Sequence, residues 1–141
     1  MVGILLVTHG TLGESLIQSA SHVMGNRPPL LMQVGVSPHD DPKQVLPQAV
    51  RLSKALDQGD GVLVLSDIYG ATPCNIAMQL LVPGRVEGVA GVSLPMLVRA
   101  LTYRNESLAT VLAKAISGGI EGVIQMPSPH YQNATAADRN R

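Results

Sequence analysis

Four aliphatic runs punctuate the chain up to residue 92: "VGILLV" (2–7), "LLMQVGV" (30–36), "GVLVLSD" (61–67) and "RVEGVAGV" (85–92). The first and third are unbroken and lack the polar alternation of a half-solvated strand, so both read as strands buried on two faces. The fourth is weaker because of its glycines. Between the runs the period changes to that of a helix. In "TLGESLIQSASHVMG", Leu12, Leu16, Ile17, Ala20, Val23 and Met24 fall on one helical face, with a stop at Gly25. Asp41 reads as an N-cap and Pro42 as the first helical position, while Pro47 implies an early kink or a later start. Thr72 and Pro73 open a third helix, Pro95 lies just inside a fourth, and "SLATVLAKAISGG" is a fifth with a Gly-Gly stop. "EGVIQM" (121–126) is expected to be a short fifth strand, and the polar stretch 127–141 a disordered tail.

This alternation implies an α/β fold: one domain over residues 1–126, built on a mainly parallel sheet with helices on both faces. The sheet is expected to hold four parallel strands plus the short C-terminal fifth. No internal repeat or interdomain linker is visible. Such sheets bind ligands at the carboxyl ends of their strands. That rule selects Thr8-His9-Gly10, Ser37–Asp41, Ser66–Thr72 and Ser93, where the chain places its polar residues.

Composition narrows the function classes. The 141 residues suffice for one sizeable core. With three Tyr and neither Phe nor Trp, that core is aliphatic, and the stacking platforms of single-strand nucleic-acid binders are absent. Ten basic and ten acidic residues cancel, so no general attraction to nucleic acid or acidic lipid is implied. The single Cys74 excludes an intrachain disulfide and fits a reducing compartment. Val2 to Val7 is far too short to span a membrane, and no basic n-region precedes it. A cytoplasmic protein without membrane insertion is expected.

The chemistry converges on two strand ends. The first strand runs into His9 and the third into Asp67. If the two strands are central, these tips come within hydrogen-bond reach. A carboxylate then fixes the imidazole tautomer and stabilises the imidazolium formed when the other nitrogen attacks. Helices open just after His9 and at Thr72, and helix N-termini attract phosphate. Gly10 and Gly70 let backbone approach a bound group closely. His9 and Asp67 as catalytic residues, with Gly10, Gly70 and Thr72 holding phosphate, form a minimal set for phosphoryl transfer. Each residue alone has an ordinary structural reading as a strand end, cap or turn. Their coincidence at one end of one sheet outweighs those readings. Cys74 reads as a buried small hydrophobe, and neither His22 nor His130 has metal-ligand spacing. His39, before Asp40 and Asp41, is most simply a loop and cap residue, with a contribution of "HDD" to a metal site as the lesser alternative. There is no G-x-x-x-x-G-K-[ST], so no nucleotide P-loop, and no metal or other cofactor is implied.

Three segments, "GILLVTHGTLGESLIQSASHVMG", "GVLVLSDIYGATPCNIA" and "VAGVSLPMLVRAL", together resemble the IIA component of the mannose family of the bacterial phosphoenolpyruvate-dependent sugar phosphotransferase system. The similarity runs over about residues 2–126. It implies that His9 is the phosphorylated histidine, Asp67 its orienting aspartate and Thr72 the hydroxyl residue touching the phosphate. It also implies a phosphoryl group received from the carrier protein HPr and passed to a separate IIB component. A homodimer that can exchange its last strand, Glu121–Met126, is implied as well. The chain departs from better-known members at "YGATPCN" (69–75), where those have Trp-Gly-Gly-Ser-Pro-Phe-Asn; altered partner fit is expected. Other readings start from the same residues. A regulatory module sensing phosphorylation state would use identical chemistry at His9. A phosphatase would need Arg where Thr8 stands, and a small tetrapyrrole metal chelatase would need a second metal-binding histidine. The related dihydroxyacetone kinase phosphocarrier typically has Met-Gly-Ser in place of "IYGATP".

Overall fold

A computed structural model describes residues 1–130. Four strands, β1 (Gly3–His9), β2 (Leu31–Val36), β3 (Val62–Ser66) and β4 (Val86–Ala90), form one parallel sheet in the order β2-β1-β3-β4. Five helices connect and follow them: α1 (Leu12–Met24), α2 (Pro42–Leu56), α3 (Thr72–Met78), α4 (Leu94–Tyr103) and α5 (Leu108–Glu121). The continuous aliphatic runs have a direct cause. Ile4 and Leu6 point to one face of the sheet, where Ile17, Leu97, Ala100 and Val111 from α1, α4 and α5 cover them. Leu5 and Val7 point to the other face, beneath Val45, Ala49, Ile76 and Ala77 from α2 and α3. A central strand covered on both sides has no position left for a polar residue facing water.

Local sequence chemistry sets most helix starts. Asp41 accepts a hydrogen bond from the Lys43 N–H at 2.9 Å, with Pro42 at the first helical position. Ser93 and Ser107 cap α4 and α5 through Met96 N–H and Thr110 N–H. The helix α2 begins at Pro42 and runs through Pro47 rather than starting later. In α1 the buried side is narrower than the apolar pattern implies: Gly13, Ile17 and Ala20 are buried, while Leu12, Val23 and Met24 are exposed.

The expected strand over Glu121–Met126 does not form. Glu121 closes α5, whose cap residue Gly122 donates its N–H to Gly118 O at 3.0 Å. Val123, Ile124 and Met126 beyond it are exposed and pair with no described strand. A strand requires a neighbouring edge to satisfy its backbone, and this segment pairs with neither edge strand of the described sheet, β2 or β4. Of the expected tail, residues 127–130 are exposed, and 131–141 lie outside the described residues.

One buried cation ties the chain start to the α4–α5 loop. The Arg104 guanidinium donates to Val2 O at 3.1 and 3.0 Å, to Leu30 O at 2.6 Å and to Pro29 O. Burial pulls its pKa down to about 10, which leaves it charged at neutral pH. Its job is to satisfy three carbonyls at the entry to β1 and β2, the pair that carries the first candidate loop.

Candidate functional site

The strand order decides the site. β1 and β3 are neighbours, and the chain leaves them toward opposite sides of the sheet, so a crevice opens at their carboxyl ends. His9 is the last residue of β1, and Asp67 immediately follows the last residue of β3. Their pairing is close: His9 Nδ1 lies 2.7 Å from Asp67 Oδ2. The same oxygen accepts the His9 backbone N–H at 3.0 Å, and Oδ1 accepts the Ile68 N–H at 3.1 Å.

The protonation state follows from these contacts. Burial alone pulls the Asp67 pKa up, but the backbone N–H and the ring of His9 outweigh it, leaving the carboxyl below its ordinary value. An ionised carboxylate only accepts hydrogen bonds, so Nδ1 carries the proton and donates. Nε2 therefore keeps its lone pair. The Asp67 side chain is 11% exposed and that of His9 53%, so the orienting group is held within the protein while the ring faces solvent.

The ring opens onto a cleft of about 380 Å³ whose walls include Val36, Ser37, Asp40, Thr72 and Pro73. Thr72 thus joins His9 in one crevice, at the first position of α3. Among the described residues no side chain caps α3, and since Pro73 has no N–H and that of Asn75 goes to Ala71 O, the opening amides left to an anion are those of Thr72 and Cys74. Gly10 has a left-handed φ of 52° and Gly70 one of 89°, and a Cβ at either would meet nothing within 4 Å. Both face open space, and neither is among the residues lining the cleft. The Gly10 N–H is already committed to Val36 O at 2.9 Å, so its contribution is the turn rather than a donor.

Two positioning roles are legible only in the structure: that of Thr8, selected in the sequence merely as a strand-end polar residue, and that of Gly35. Thr8 is fully buried, and its Oγ1 accepts the Gly13 N–H at 2.8 Å, which docks the first turn of α1 beside His9. At Gly35 an added Cβ would sit 2.1 Å from Gly10 O, so only glycine lets β2 pass under the His9–Gly10 turn. A lone glycine inside an apolar strand pattern is the signal that marks such a close approach. The remaining candidates are structural. Cys74 is buried, and Asp40 and Asp41 accept the N–H groups of Ser37 and Lys43. His22, His39 and His130 are exposed and lie outside the cleft.

Comparison with known proteins identifies the family and the fold. The family described as PTS system fructose IIA component (EIIA-man) matches residues 3–117. The mannose-specific EIIAB component of the PTS from Escherichia coli (strain K12) is 29% identical over 139 residues, covering 96% of this chain and 43% of that protein. The chain thus spans less than half the length of that relative. The fructose-specific EIIA component of the PTS from Bacillus subtilis (strain 168) is 23% identical over 141 residues, 99% of this chain and 96% of that one. A solved mannose/sorbose specific IIA subunit from Enterococcus faecalis shares the fold with a TM-score of 0.79 at 24% identity, covering 91% of this chain and 96% of that chain. Among the described residues no helix is long and apolar enough to cross a membrane. The match over residues 3–117, with a shared fold, bears out the resemblance seen in the sequence: the chain belongs to the family of PTS system fructose IIA components.

Proposed function

We propose that the chain is a phosphocarrier of a sugar phosphotransferase system, with residues 1–126 as its IIA domain and His9 as the phosphorylated residue. The reading rests on one observation above all, the 2.7 Å contact of His9 Nδ1 with Asp67, which leaves Nε2 as the nucleophilic nitrogen. Nε2 attacks the phosphorus of a phosphohistidine on HPr. The new N–P bond forms as the donor's N–P bond breaks, and the electron pair returns to the donor imidazole. Asp67 balances the positive charge that develops on the His9 ring. Thr72 and the opening amides of α3 hold the phosphoryl oxygens, while the Gly10 and Gly70 turns leave room for them. Transfer onward to a histidine of a separate IIB component reverses the same steps. The nitrogen ring system does the chemistry without metal or nucleotide, and the protein works in the cytoplasm. The exposed Ile116, Ile120, Val123, Ile124 and Met126 support a homodimer, in which they would be covered.

The test is incubation with phosphoenolpyruvate, enzyme I and HPr, followed by intact mass and acid-lability analysis. One acid-labile phosphoryl group is expected on the wild-type chain and none on His9→Gln. Absence of labelling with demonstrably active donors, or full labelling of His9→Gln, overturns the reading. Light scattering checks the dimer.

A further inference from the structure

Behind the His9 cleft lies a second cavity, of about 200 Å³, between α3 and the β3–β4 half of the sheet. Its walls include Val64, Cys74, Ala77, Gly88 and Ala90, and Tyr69, 76% exposed, stands at its mouth. Small residues make the space: Gly88 and Ala90 leave the inner surface of β4 almost bare. One wall residue is out of keeping. Ser66 is only 2% exposed, lines this cavity, and its Oγ has no hydrogen-bond partner among the described residues. Its backbone is satisfied, since Ser66 O accepts the N–H groups of Gly91 and Val92, each at 2.9 Å. An unsatisfied buried hydroxyl is unfavourable, so native structures normally give it a partner.

We propose that this cavity is a binding site for a compact, neutral, largely apolar molecule carrying one hydroxyl or carbonyl group, which pairs with Ser66 Oγ. The size fits: an apolar cavity of about 150 Å³ admits benzene, whereas one water occupies only about 30 Å³. The walls carry no charge, which excludes sugars' phosphates and other ions from the interior. The hydroxyl donates or accepts, so an alcohol and a carbonyl compound are equally served. The cavity shares helix α3 with the His9 cleft, Cys74 and Ala77 lining the one, Thr72 and Pro73 the other.

Cyclohexanol is the probe, titrated into the isotope-labelled full chain while amide resonances and thermal unfolding are followed. Saturable shifts centred on Cys74, Gly88 and Ala90 are expected, with a Kd on the order of 1 mM for so small a ligand. Ser66→Ala separates the proposal from a purely structural role. It is expected to melt higher than wild type in the absence of ligand, because it removes an unpaired buried hydroxyl, and to bind cyclohexanol about fivefold more weakly. Ala90→Leu, which fills the space, is expected to abolish binding. Unsaturated or scattered shifts up to about 50 mM overturn the proposal. So does a Ser66→Ala variant that melts lower and binds equally well. Resonances that follow protein concentration instead of cyclohexanol would assign the cavity to a second copy of the chain, and would overturn it too.

Discussion

Asp67→Asn tests how much of the His9 chemistry comes from the carboxylate. The substitution preserves shape and removes charge at the oxygen that receives both the ring and the backbone N–H of His9, at 2.7 and 3.0 Å. Hydrogen bonds to a charged partner contribute about 1.5–3 kcal/mol, against about 1 kcal/mol for neutral ones. The His9 side chain is 53% exposed, so solvent screens the pair and the low end applies. A loss of about 0.5 kcal/mol in stabilising the developing imidazolium corresponds to transfer slowed roughly twofold. Folding stability should fall by about 0.5 kcal/mol, from the weakened bond to the His9 N–H. Rapid-quench measurement of phosphoryl arrival from phospho-HPr reads the first quantity, and urea unfolding the second. The stability difference also has a defined pH course. The Asp67 carboxyl titrates below its ordinary 3.8, so its contribution is fully present above that value and disappears as pH falls through the lowered one. Wild type and Asp67→Asn should therefore differ most above 3.8 and converge once the pH has fallen through the lowered value. Transfer at the wild-type rate in Asp67→Asn would refute the argument. So would phosphorus and nitrogen NMR placing the wild-type phosphoryl group on Nδ1, the nitrogen that faces Asp67.

Substitutions at three further positions probe what holds the site in place. Gly35→Ala puts a methyl group 2.1 Å from Gly10 O. It should destabilise the fold by about 2 kcal/mol and impair phosphoryl acceptance as the His9–Gly10 turn is displaced, as read by urea unfolding and the labelling assay. Thr8→Val keeps the volume but leaves the Gly13 N–H without its 2.8 Å acceptor, at an expected loss of about 1–2 kcal/mol and faster amide exchange at Gly13. Arg104→Met removes the donors to Val2 O, Pro29 O and Leu30 O, and should cost at least about 3 kcal/mol, whereas Arg104→Lys should recover part of it. A Met variant as stable as wild type by urea unfolding would show that these carbonyls find other partners.

The four strands and five helices that form, and the residues at their ends, were legible in local sequence. Aliphatic runs such as Val2–Val7 admit one solution, a strand covered on both faces, because no residue in them tolerates water. Asp41-Pro42, Ser93 and Ser107 start helices through their own side chains, a local interaction that needs no partner from elsewhere. His9 and Asp67 were visible for the same reason: each breaks an apolar run where the backbone leaves the sheet. The tertiary structure alone decided that β1 lies beside β3, and hence that the two side chains meet at 2.7 Å through Nδ1, leaving Nε2 unbonded. It also decided which glycine makes a close approach, since Gly35 and Gly10 are distant in sequence and meet only across the β1–β2 pair. Arg104 reaches Val2 across 102 residues, a pairing no local pattern encodes. The expected strand at Glu121–Met126 failed on the same ground. Its apolar residues state a preference, but a strand exists only where the chain is brought into register with another edge, and among the described residues this segment pairs with neither open edge of the sheet, β2 or β4. Local chemistry is written in neighbouring residues; pairing is a property of where distant segments are brought together.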